Sequence, residues 1–252
     1  MGTEINDIAG LICLESGTLP VHGGSFSLVL LEPRHAPAVR ALHETVIERL
    51  PEDQKSFVLP RPEGYFRNNF QRGHGSTIMG VVCGGKLIAK CLIVHPSTGE
   101  TSATLGGAIL HCAPEHVSIF QSSTVHPDFR GNGIMNMMIR HWLSHATRHG
   151  RIHVQAEIET RNKQSWSQFL KAGLHIVSAH KSPVDGAQVF NAGERIKYTL
   201  MKDFSDAASS AGGGGKIECP SQDKQGQMER FSEGFIATAL SPSGNELIME
   251  QR

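Results

Sequence analysis

The hydrophobic positions along the chain predict an alternation of strands and helices. An apolar run within residues 25–32 indicates a first strand, and apolar residues at i, i+3 and i+4 spacing over residues 33–50 indicate a helix. Residues 76–83 and 86–95 are two further strand-like runs. The Gly84-Gly85 dipeptide between them is typical of a tight β-hairpin.

The second half of the chain continues this pattern. Hydrophobic periodicity predicts four strands, over residues 117–125, 152–158, 175–179 and 195–201. It predicts two helices, over residues 134–149 and 163–172, and a glycine that can end a helix follows each of them. The order of elements predicts an α/β (α+β) fold that covers residues 25–202, with a mixed, twisted sheet and helices on both faces.

Three segments outside residues 25–202 are predicted from their composition. Residues 1–24 have mixed polarity and form an N-terminal extension. Residues 203–233 contain a run of small residues and are predicted to be a flexible linker. Residues 234–252 hold two strand-like runs around a turn and are predicted to form a C-terminal β-hairpin. Because an isolated hairpin is marginally stable in water, this hairpin should dock on a sheet edge, either its own or that of a second subunit in a homodimer.

Charge and cysteine content narrow the class of protein. Lys and Arg together number 24, as do Asp and Glu, and this balance argues against broad nucleic-acid binding and against a polybasic membrane-binding surface. No apolar run approaches the ~18 residues that a membrane helix needs, and the N-terminus lacks the pattern of a secretory signal. The five cysteines show no C-x-x-C pair, which favours a reducing compartment. The expected location is the cytoplasm.

The most informative local pattern is a glycine turn between a predicted strand and the helix that follows it. Its sequence is Arg130-Gly131-Asn132-Gly133-Ile134. Glycine permits unusual backbone dihedrals and the close approach of a ligand. The turn also lies at the positive end of a helix dipole, where several backbone N–H groups have no intrahelical partner. These features predict a binding site for a phosphate or pyrophosphate.

Together with a second element downstream, this turn resembles the GNAT superfamily of acyl-CoA-dependent N-acyltransferases. Residues 125–134 supply the family pattern V-x-P-x-x-R-G-x-G-I. The second element is a helix that follows Asn162, contains Phe169 and closes at Gly173-Leu174. In the core Arg-x-x-Gly-x-(Gly/Ala) motif, Met135 replaces the expected small residue. This departure would either widen the turn or require the Met135 side chain to point away from it.

The resemblance implies a set of cofactor-binding residues and acetyl-CoA as the cosubstrate. The pantetheine arm would pair with a strand segment, and one backbone N–H there would face the thioester oxygen; the segment is Ser123, Thr124 and Val125. The pyrophosphate would bind the turn, whose residues are Arg130, Gly131, Asn132, Gly133, Ile134 and Met135. Asn162 and Phe169 complete the set, although Asn162 also suits a helix N-cap. The resemblance implies no metal.

Phe169 stands where many members of this family have a tyrosine that protonates the leaving thiolate. Tyr198, Ser165 or water could replace that acid. Alternatively no acid is needed, because a thiol with a pKa of about 8.5 leaves acceptably as a thiolate near neutral pH. For the general base, His116 and Glu157 rank first because their strands border the expected cofactor site. The other candidates are Glu115, His111, Glu159 and His126.

Two further patterns have competing interpretations. Three histidines recur at i, i+4 spacing, which can bind a metal, although an ordinary helix face is the preferred interpretation; they are His141, His145 and His149. Residues 61–72, which contain three arginines and three aromatic residues, and the long connection over residues 96–115 could shape an acceptor site or lie unused on the surface.

The sequence thus predicts an N-acetyltransferase in which a primary amine, on a small-molecule or protein acceptor, attacks acetyl-CoA directly in a ternary complex. Neither motif contains a cysteine, which disfavours a covalent enzyme intermediate. Two alternatives stay open. One is a transferase of a longer acyl chain, and the other is a non-catalytic acyl-CoA-binding regulatory module. The sequence does not identify the acceptor.

Overall fold

The computed structural model describes residues 3–5, 7–71, 75–100, 112–181, 196–204 and 216–251. The fold is mixed α/β, with a twisted, mostly antiparallel sheet and helices, as the sequence predicts. The chain divides into two compact units. The first comprises Met1–Ser97 and Ile119–Ser144, and the second comprises Thr98–Ser118 and His145–Arg252.

The first unit is built on five strands that pair antiparallel with their sequence neighbours. These strands are β1 (Cys13–Thr18), β2 (Ser25–Leu30), β3 (Ser76–Cys83), β4 (Lys86–Val94) and β5 (Val117–Val125). Three helices belong wholly or mainly to this unit: α1 (Ala36–Glu48), α2 (Tyr65–Gln71) and α3 (Ile134–Arg148). The predicted strands and helices of this region are therefore present.

The β3–β4 hairpin forms the centre of the first unit's core. Almost every residue of both strands is buried, which explains why their sequences are nearly continuous apolar runs without a polar alternation. Gly84 and Gly85 join the strands with φ angles of +55° and +73°, the left-handed backbone that a tight two-residue hairpin turn requires. The predicted Gly-Gly hairpin is confirmed.

Strand β5 contains an irregularity just before the residues predicted to bind the cofactor. Its pairing with β4 shifts register between Lys90, which faces Thr124, and Leu92, which faces Gln121. The extra residue on β5 is accommodated where Ser122 adopts a φ angle of +50°, the single described non-glycine residue with a positive φ. This β-bulge re-aims the strand towards the glycine turn that follows it.

The second unit holds the remaining elements. Its strands are β6 (His153–Glu159), β7 (His175–Lys181), β8 (Ile196–Asp203), β9 (Lys216–Pro220), β10 (Phe235–Leu240) and β11 (Glu246–Gln251), and its helices are α4 (Lys163–Lys171) and α5 (Lys224–Ser232). Neighbouring strands lie in the order β6-β8-β7-β10-β11-β9, and the pairings among them are antiparallel. Strands β6 and β8 run in continuous register from His153 and Asp203 to Glu159 and Lys197.

The prediction of a flexible linker over residues 203–233 is wrong for most of that range. Residues 203–204 belong to or directly follow β8, and residues 216–232 contain β9 and α5. The error has a physical cause: the one buried residue of α5 is a glutamine, and Met228 and Phe231 are its only apolar side chains, so its sequence shows little amphipathic period. Strand β9 is short and pairs with β11, a partner near the end of the chain. The small-residue run that suggested the linker, residues 207–215, lies outside the described residues.

The predicted C-terminal hairpin is present as β10 and β11. It docks within its own chain, because β10 pairs with β7 through Ala237 and Ile176. The N-terminal extension is also integrated, since β1 pairs with β2 along its whole length. The central parts of two predicted connections, residues 101–111 and 182–195, lie outside the described residues. Within the described part of the chain, no helix is both long and apolar enough to cross a membrane.

We expect the C-terminal hairpin to contribute directly to stability. Leu247 in β11 is fully buried, so Leu247→Ala should lower the free energy of unfolding by about 2–5 kcal/mol. The neighbouring Ile248→Ala is the matched control and should cost clearly less, because Ile248 is only partly buried. Urea titration measures both values. Equal stabilities of Leu247→Ala and the unmodified protein would show that the hairpin is a loosely held appendage.

Candidate active site

The turn between β5 and α3 is shaped by two glycines with left-handed backbone. Gly131 has a φ angle of +80° and Gly133 a φ angle of +72°. A Cβ added at either position would meet no heavy atom within 4 Å. Glycine is therefore required here for its backbone conformation and not for lack of space. The space in front of both glycines is open to a ligand.

The backbone N–H groups of this turn are available for binding. Among the described residues, none accepts a hydrogen bond from the N–H groups of Gly131, Asn132 or Gly133. The first hydrogen bond in this region that closes a helical turn runs from Met137 N to Gly133 O, at 3.0 Å. The N–H groups that precede it lie at the N-terminal end of a 15-residue helix. Such an arrangement binds anions, as the sequence predicts for this position.

The Asn132 side chain holds the N-terminal segment against the turn. Its Oδ1 accepts hydrogen bonds from the backbone N–H groups of Val21 and His22, at 2.8 and 3.0 Å. Its Nδ2 donates to the carbonyl oxygens of Phe129 and Arg130, at 3.0 and 3.3 Å. This side chain is buried and fully engaged, so only the backbone of Asn132 is free to contact a cofactor. A role for the N-terminal segment in fixing the turn was not anticipated from the sequence.

Two arginines give the turn a positive character. Arg49, which follows α1, forms a bidentate ion pair with Asp128 at 2.9 and 2.7 Å. Arg130 is exposed, and within the described part of the chain its guanidinium has no hydrogen-bond or ion-pair partner. An exposed, unpaired guanidinium beside open N–H groups is suited to a phosphate oxygen. Contact of Arg130 with a pyrophosphate stays a prediction.

The remaining turn residues belong to the helix that follows. Ile134 is buried and anchors the start of α3 in the core of the first unit. Met135 is half-buried, so its side chain is not extended into solvent. The widening of the turn that Met135 could cause stays a prediction.

The strand segment predicted to pair with the pantetheine arm directly follows the bulge. Ser123 and Val125 are half-buried, and Thr124 is buried. The Thr124 hydroxyl is enclosed, yet it has no hydrogen-bond partner in the described part of the chain. A buried polar group without a partner is uncommon, and a ligand that supplies the partner would remove the cost.

A buried lysine holds the bulge in place. The Lys90 amine donates hydrogen bonds to the carbonyl oxygen of Ser122 and to its hydroxyl, at 2.9 Å for the latter. It also lies 4.5 Å from the centre of the Phe66 ring. Burial, and then the charge of Arg61, lower the pKa of Lys90 well below its ordinary value. This clamp fixes the left-handed backbone at Ser122 and thereby the direction in which Ser123 and Thr124 leave the bulge.

The sequence interpretation missed Lys90, although it carried a signal. Residues 87–94 are otherwise apolar, and a lysine within such a run is seldom buried without a specific partner. His43 was missed as well, because it occupies a core position in the helical pattern of α1. Its Nε2 lies 2.8 Å from the carbonyl oxygen of Leu59, while its Nδ1 is enclosed without a hydrogen-bond partner. Burial first, and then the charges of Lys90 and Arg61, lower the pKa of His43 to about 3.

In the second unit, Asn162 and Phe169 have structural partners. The Asn162 side chain accepts a hydrogen bond from Ser165 N at 3.2 Å, so the N-cap interpretation of this residue is confirmed. Phe169 is buried in α4. Contact of either residue with a cofactor stays a prediction.

Tyr198 occupies an enclosed position on β8. Its hydroxyl donates a hydrogen bond to Gln227 Oε1 and accepts one from Lys224 Nζ at 2.9 Å. The ring is fully buried and contacts Trp166 edge-on, with centroids 5.7 Å apart. Burial raises the pKa of Tyr198. These contacts favour a packing role and argue against the predicted role as an acid, because the hydroxyl proton already has a buried acceptor.

The two leading base candidates lie in different surroundings. His116 ends a short 3₁₀ turn before β5 and is exposed. Glu157 on β6 is largely buried, with its carboxylate 3.8 Å from His180 Nε2 and 3.7 Å from Lys197 Nζ. Glu157 therefore has two basic side chains nearby, whereas His116 is exposed. Their identity as catalytic bases stays a prediction.

The histidines of α3 are engaged with protein groups. His141 Nε2 lies 2.7 Å from a carboxylate oxygen of Glu15 in β1. In the second unit, the rings of His145 and His149 lie 4.3 Å apart, and burial lowers the pKa of His145 to about 4. No group of three potential metal ligands occurs among the residues that the structure describes.

Comparison with known proteins agrees with this geometry. The sequence profile of the Acetyltransferase (GNAT) family matches residues 43–174, which is more than half of the 252-residue chain. The chain therefore belongs to the GNAT acetyltransferase family. No curated protein matches the chain in sequence.

Several solved acetyltransferases share this fold. Ribosomal-protein-S5-alanine acetyltransferase from Vibrio fischeri is 12% identical, with a TM-score of 0.55 over 77% of this chain and 98% of that one. The GNAT domain of PAT from S. lividans is 17% identical, with a TM-score of 0.53 over 75% and 96%. The putative acetyltransferase yncA from Salmonella typhimurium, solved with its cofactor acetyl-CoA, is 11% identical, with a TM-score of 0.51 over 74% and 99%. At these identities the similarity establishes the fold.

Tyr198→Phe separates the packing role from the acid role. Removal of the hydroxyl leaves the buried Gln227 oxygen without its donor, so we expect a loss of about 1–3 kcal/mol in the free energy of unfolding. Binding of acetyl-CoA, measured by calorimetry, should be unchanged. An unchanged stability combined with a large loss of turnover would instead identify Tyr198 as the acid.

His43 should make stability depend on pH. Its folded pKa of about 3 lies below the ordinary histidine value of 6.5, so between these values the unfolded chain binds a proton that the folded chain does not. Stability therefore falls as the pH drops from about 6.5 towards 3. His43→Gln should remove up to about 1.4 kcal/mol per pH unit from this slope. Denaturant titrations at pH 4 to 7 compare His43→Gln with the unmodified protein, and identical slopes for the two would contradict the assignment.

Proposed function

We propose that this protein is an N-acetyltransferase that transfers the acetyl group of acetyl-CoA to the primary amine of a small-molecule or protein acceptor. One observation carries the proposal: the N–H groups of residues 131–133 have no acceptor among the described residues and lie at the start of α3. The family to which the chain belongs supports acetyl-CoA-dependent acyl transfer in general. Acetyl-CoA bound to the Salmonella typhimurium relative supports the choice of cofactor.

The chain offers groups for the pyrophosphate and for the pantetheine arm of the cofactor. The pyrophosphate would receive hydrogen bonds from the backbone of Gly131, Asn132 and Gly133, with Arg130 as an additional cation. The strand segment after the bulge would pair with the pantetheine arm, and the unpartnered Thr124 hydroxyl offers one further polar contact there. No described cluster of potential metal ligands competes with this assignment.

The reaction requires little covalent help from the protein. The lone pair of the neutral acceptor amine attacks the thioester carbon, the C–S bond breaks, and coenzyme A leaves as a thiolate or thiol. The amine proton passes to a base or to water, and the product is an amide. Positioning and an N–H group directed at the developing oxyanion supply most of the acceleration. A ternary complex without a covalent enzyme intermediate fits the absence of cysteine from both motifs.

A specific observation favours one alternative, a non-catalytic acyl-CoA-binding regulatory module. Phe169 has no hydroxyl, and the Tyr198 hydroxyl is already bonded to Gln227 and Lys224. If the reaction needs a side-chain acid, neither residue is placed to supply it. Release of coenzyme A thiol above background with any acceptor amine excludes the regulatory module. A transferase of a longer acyl chain is tested by the same assay with longer acyl-CoA thioesters.

The wider expectations stay predictions of this proposal. They are a cytoplasmic location, no nucleic-acid partner, no membrane association, and either a monomer or a homodimer. Size-exclusion chromatography with light scattering determines the oligomeric state.

Gly133→Glu tests the cofactor site. The variant places a negative charge and a side chain where the pyrophosphate would bind, so acetyl-CoA binding should weaken by at least ~100-fold in calorimetric titration. Gly133→Gln, of the same size and with the same backbone strain, should weaken binding less. Gly150→Glu, at another open glycine with a φ angle of +66°, should bind acetyl-CoA like the unmodified protein. Equal affinities for Gly133→Glu and the unmodified protein would remove the basis of the proposal.

A further inference from the structure

A pocket of about 660 Å³ opens between α1 and α2 within the first unit. Its inner wall includes the buried side chains of His43 and Phe66. Tyr65 and Arg61, both half-buried, adjoin this wall. The volume is sufficient for a small organic molecule. The cofactor residues proposed above do not line this pocket, so the function proposed above leaves it without an occupant.

Arg61 enters this pocket without a partner for its charge. Its guanidinium stacks on the Tyr65 ring, 4.6 Å from the ring centre. Its Nε is enclosed and has no hydrogen-bond partner, and no described carboxylate lies within ion-pair distance of the guanidinium. Enclosed guanidinium donors without acceptors destabilise a protein, and a carboxylate is the group that satisfies them best, through two parallel hydrogen bonds.

The groups behind Arg61 supply no negative charge. His43 and Lys90 both lie close enough for the charge of Arg61 to lower their pKa values, although burial is the larger cause for each. The pKa of His43, lowered to about 3, leaves this imidazole uncharged near pH 7, and Lys90 does not line the pocket. Arg61 therefore has no counter-ion on the inner wall in the described part of the chain.

The carboxylates of the pocket lie elsewhere on its lining. Three arginines and three glutamates line the pocket, so its overall charge is balanced. Glu44 is bonded to Arg40 at 2.7 Å, and the exposed Glu63 lies 3.9 Å from the same guanidinium. Glu48 and Arg67 are both exposed. The preference for an anion therefore comes from the position of Arg61 and not from net charge.

The pocket connects to the strand that would hold the thioester. Phe66 on the pocket wall contacts the Lys90 amine, and Lys90 bonds to Ser122 at the bulge of β5. Ser123, the next residue, begins the segment proposed to pair with the pantetheine arm. The side chains of Phe66 and Lys90 therefore link a molecule bound between α1 and α2 to the start of that segment.

We propose that the acceptor carries a carboxylate and that Arg61 binds this carboxylate in the α1–α2 pocket, with the rest of the molecule packed on Tyr65 and Phe66. This proposal rests on the proposed acetyltransferase function and names the substrate class for it. The acceptors are amino acids or similar small molecules that hold an amine and a carboxylate. Uncharged derivatives of the same amines lose the contact to Arg61.

Paired acceptors test the proposal. Coenzyme A thiol release is measured with L-amino acids and with the corresponding carboxamides, in which an uncharged amide replaces the carboxylate, and rates are compared per neutral amine. At least one acid should be acetylated with a kcat/KM about 10- to 100-fold above that of its amide, the range expected for a hydrogen-bonded ion pair. Equal values for acid and amide, or a panel in which no acid reacts or binds to the CoA-loaded protein in calorimetry, would overturn the assignment.

Variants of Arg61 and Arg67 show which arginine of the pocket contacts the carboxylate of the acceptor. Arg61→Gln should lower kcat/KM for the acid about 10- to 100-fold and leave the value for the amide unchanged, while Arg61→Lys should retain part of the activity. Arg67→Gln, at an exposed arginine of the same pocket, should affect neither substrate. An equal loss for acid and amide in Arg61→Gln would show a structural role and contradict the proposal.

Calorimetry with acetyl-CoA distinguishes failure of the acceptor proposal from failure of the proposed acetyltransferase function. If the unmodified protein and Arg61→Gln bind acetyl-CoA equally but show no acid preference, the acceptor assignment alone is wrong. If the unmodified protein does not bind acetyl-CoA, the proposed acetyltransferase function is wrong as well.

Discussion

The left-handed backbone at Gly131 and Gly133 is the constraint on which the candidate site depends. It keeps the N–H groups at the start of α3 free of partners among the described residues and leaves open space in front of them. Gly131 and Gly133 are exposed, so water can satisfy their N–H groups, and surrounding contacts hold the turn in this conformation. Asn132 does so from within the turn, through two hydrogen bonds to the N-terminal segment and two to the carbonyl oxygens of Phe129 and Arg130. Arg49, which follows α1, holds the start of the turn through its ion pair with Asp128.

A second device fixes the strand that leads into this turn. The bulge at Ser122 requires a positive φ angle at a non-glycine residue, a conformation that persists only when its surroundings determine it. Lys90, on the neighbouring strand, holds Ser122 in this conformation through its hydrogen bonds, and its amine is fully buried. The same lysine lies behind Phe66 and the α1–α2 pocket. One buried residue therefore connects the pocket with the start of the strand segment proposed to hold the thioester.

The parts of the fold that follow from local chemistry could be predicted from the sequence. The Gly84-Gly85 hairpin and the glycine turn rest on backbone requirements that only a few residue types meet, so their sequences are informative. Helix α5 and strand β9 could not be predicted, because α5 buries a single glutamine and β9 depends on a strand near the end of the chain. The hydrogen bond from Lys90 to Ser122 joins residues 32 positions apart, and the one from Val21 N–H to Asn132 joins residues 111 positions apart. Contacts of this kind require the three-dimensional structure.

Amide hydrogen exchange with and without coenzyme A tests whether the glycine turn binds the cofactor. The account places the pyrophosphate on the backbone N–H groups of residues 131–133, so saturating coenzyme A should slow exchange at these residues. The tight turn at Gly84-Gly85 serves as an internal reference and should exchange at the same rate in both samples. Unchanged exchange at residues 131–133 in the presence of saturating coenzyme A would contradict the account.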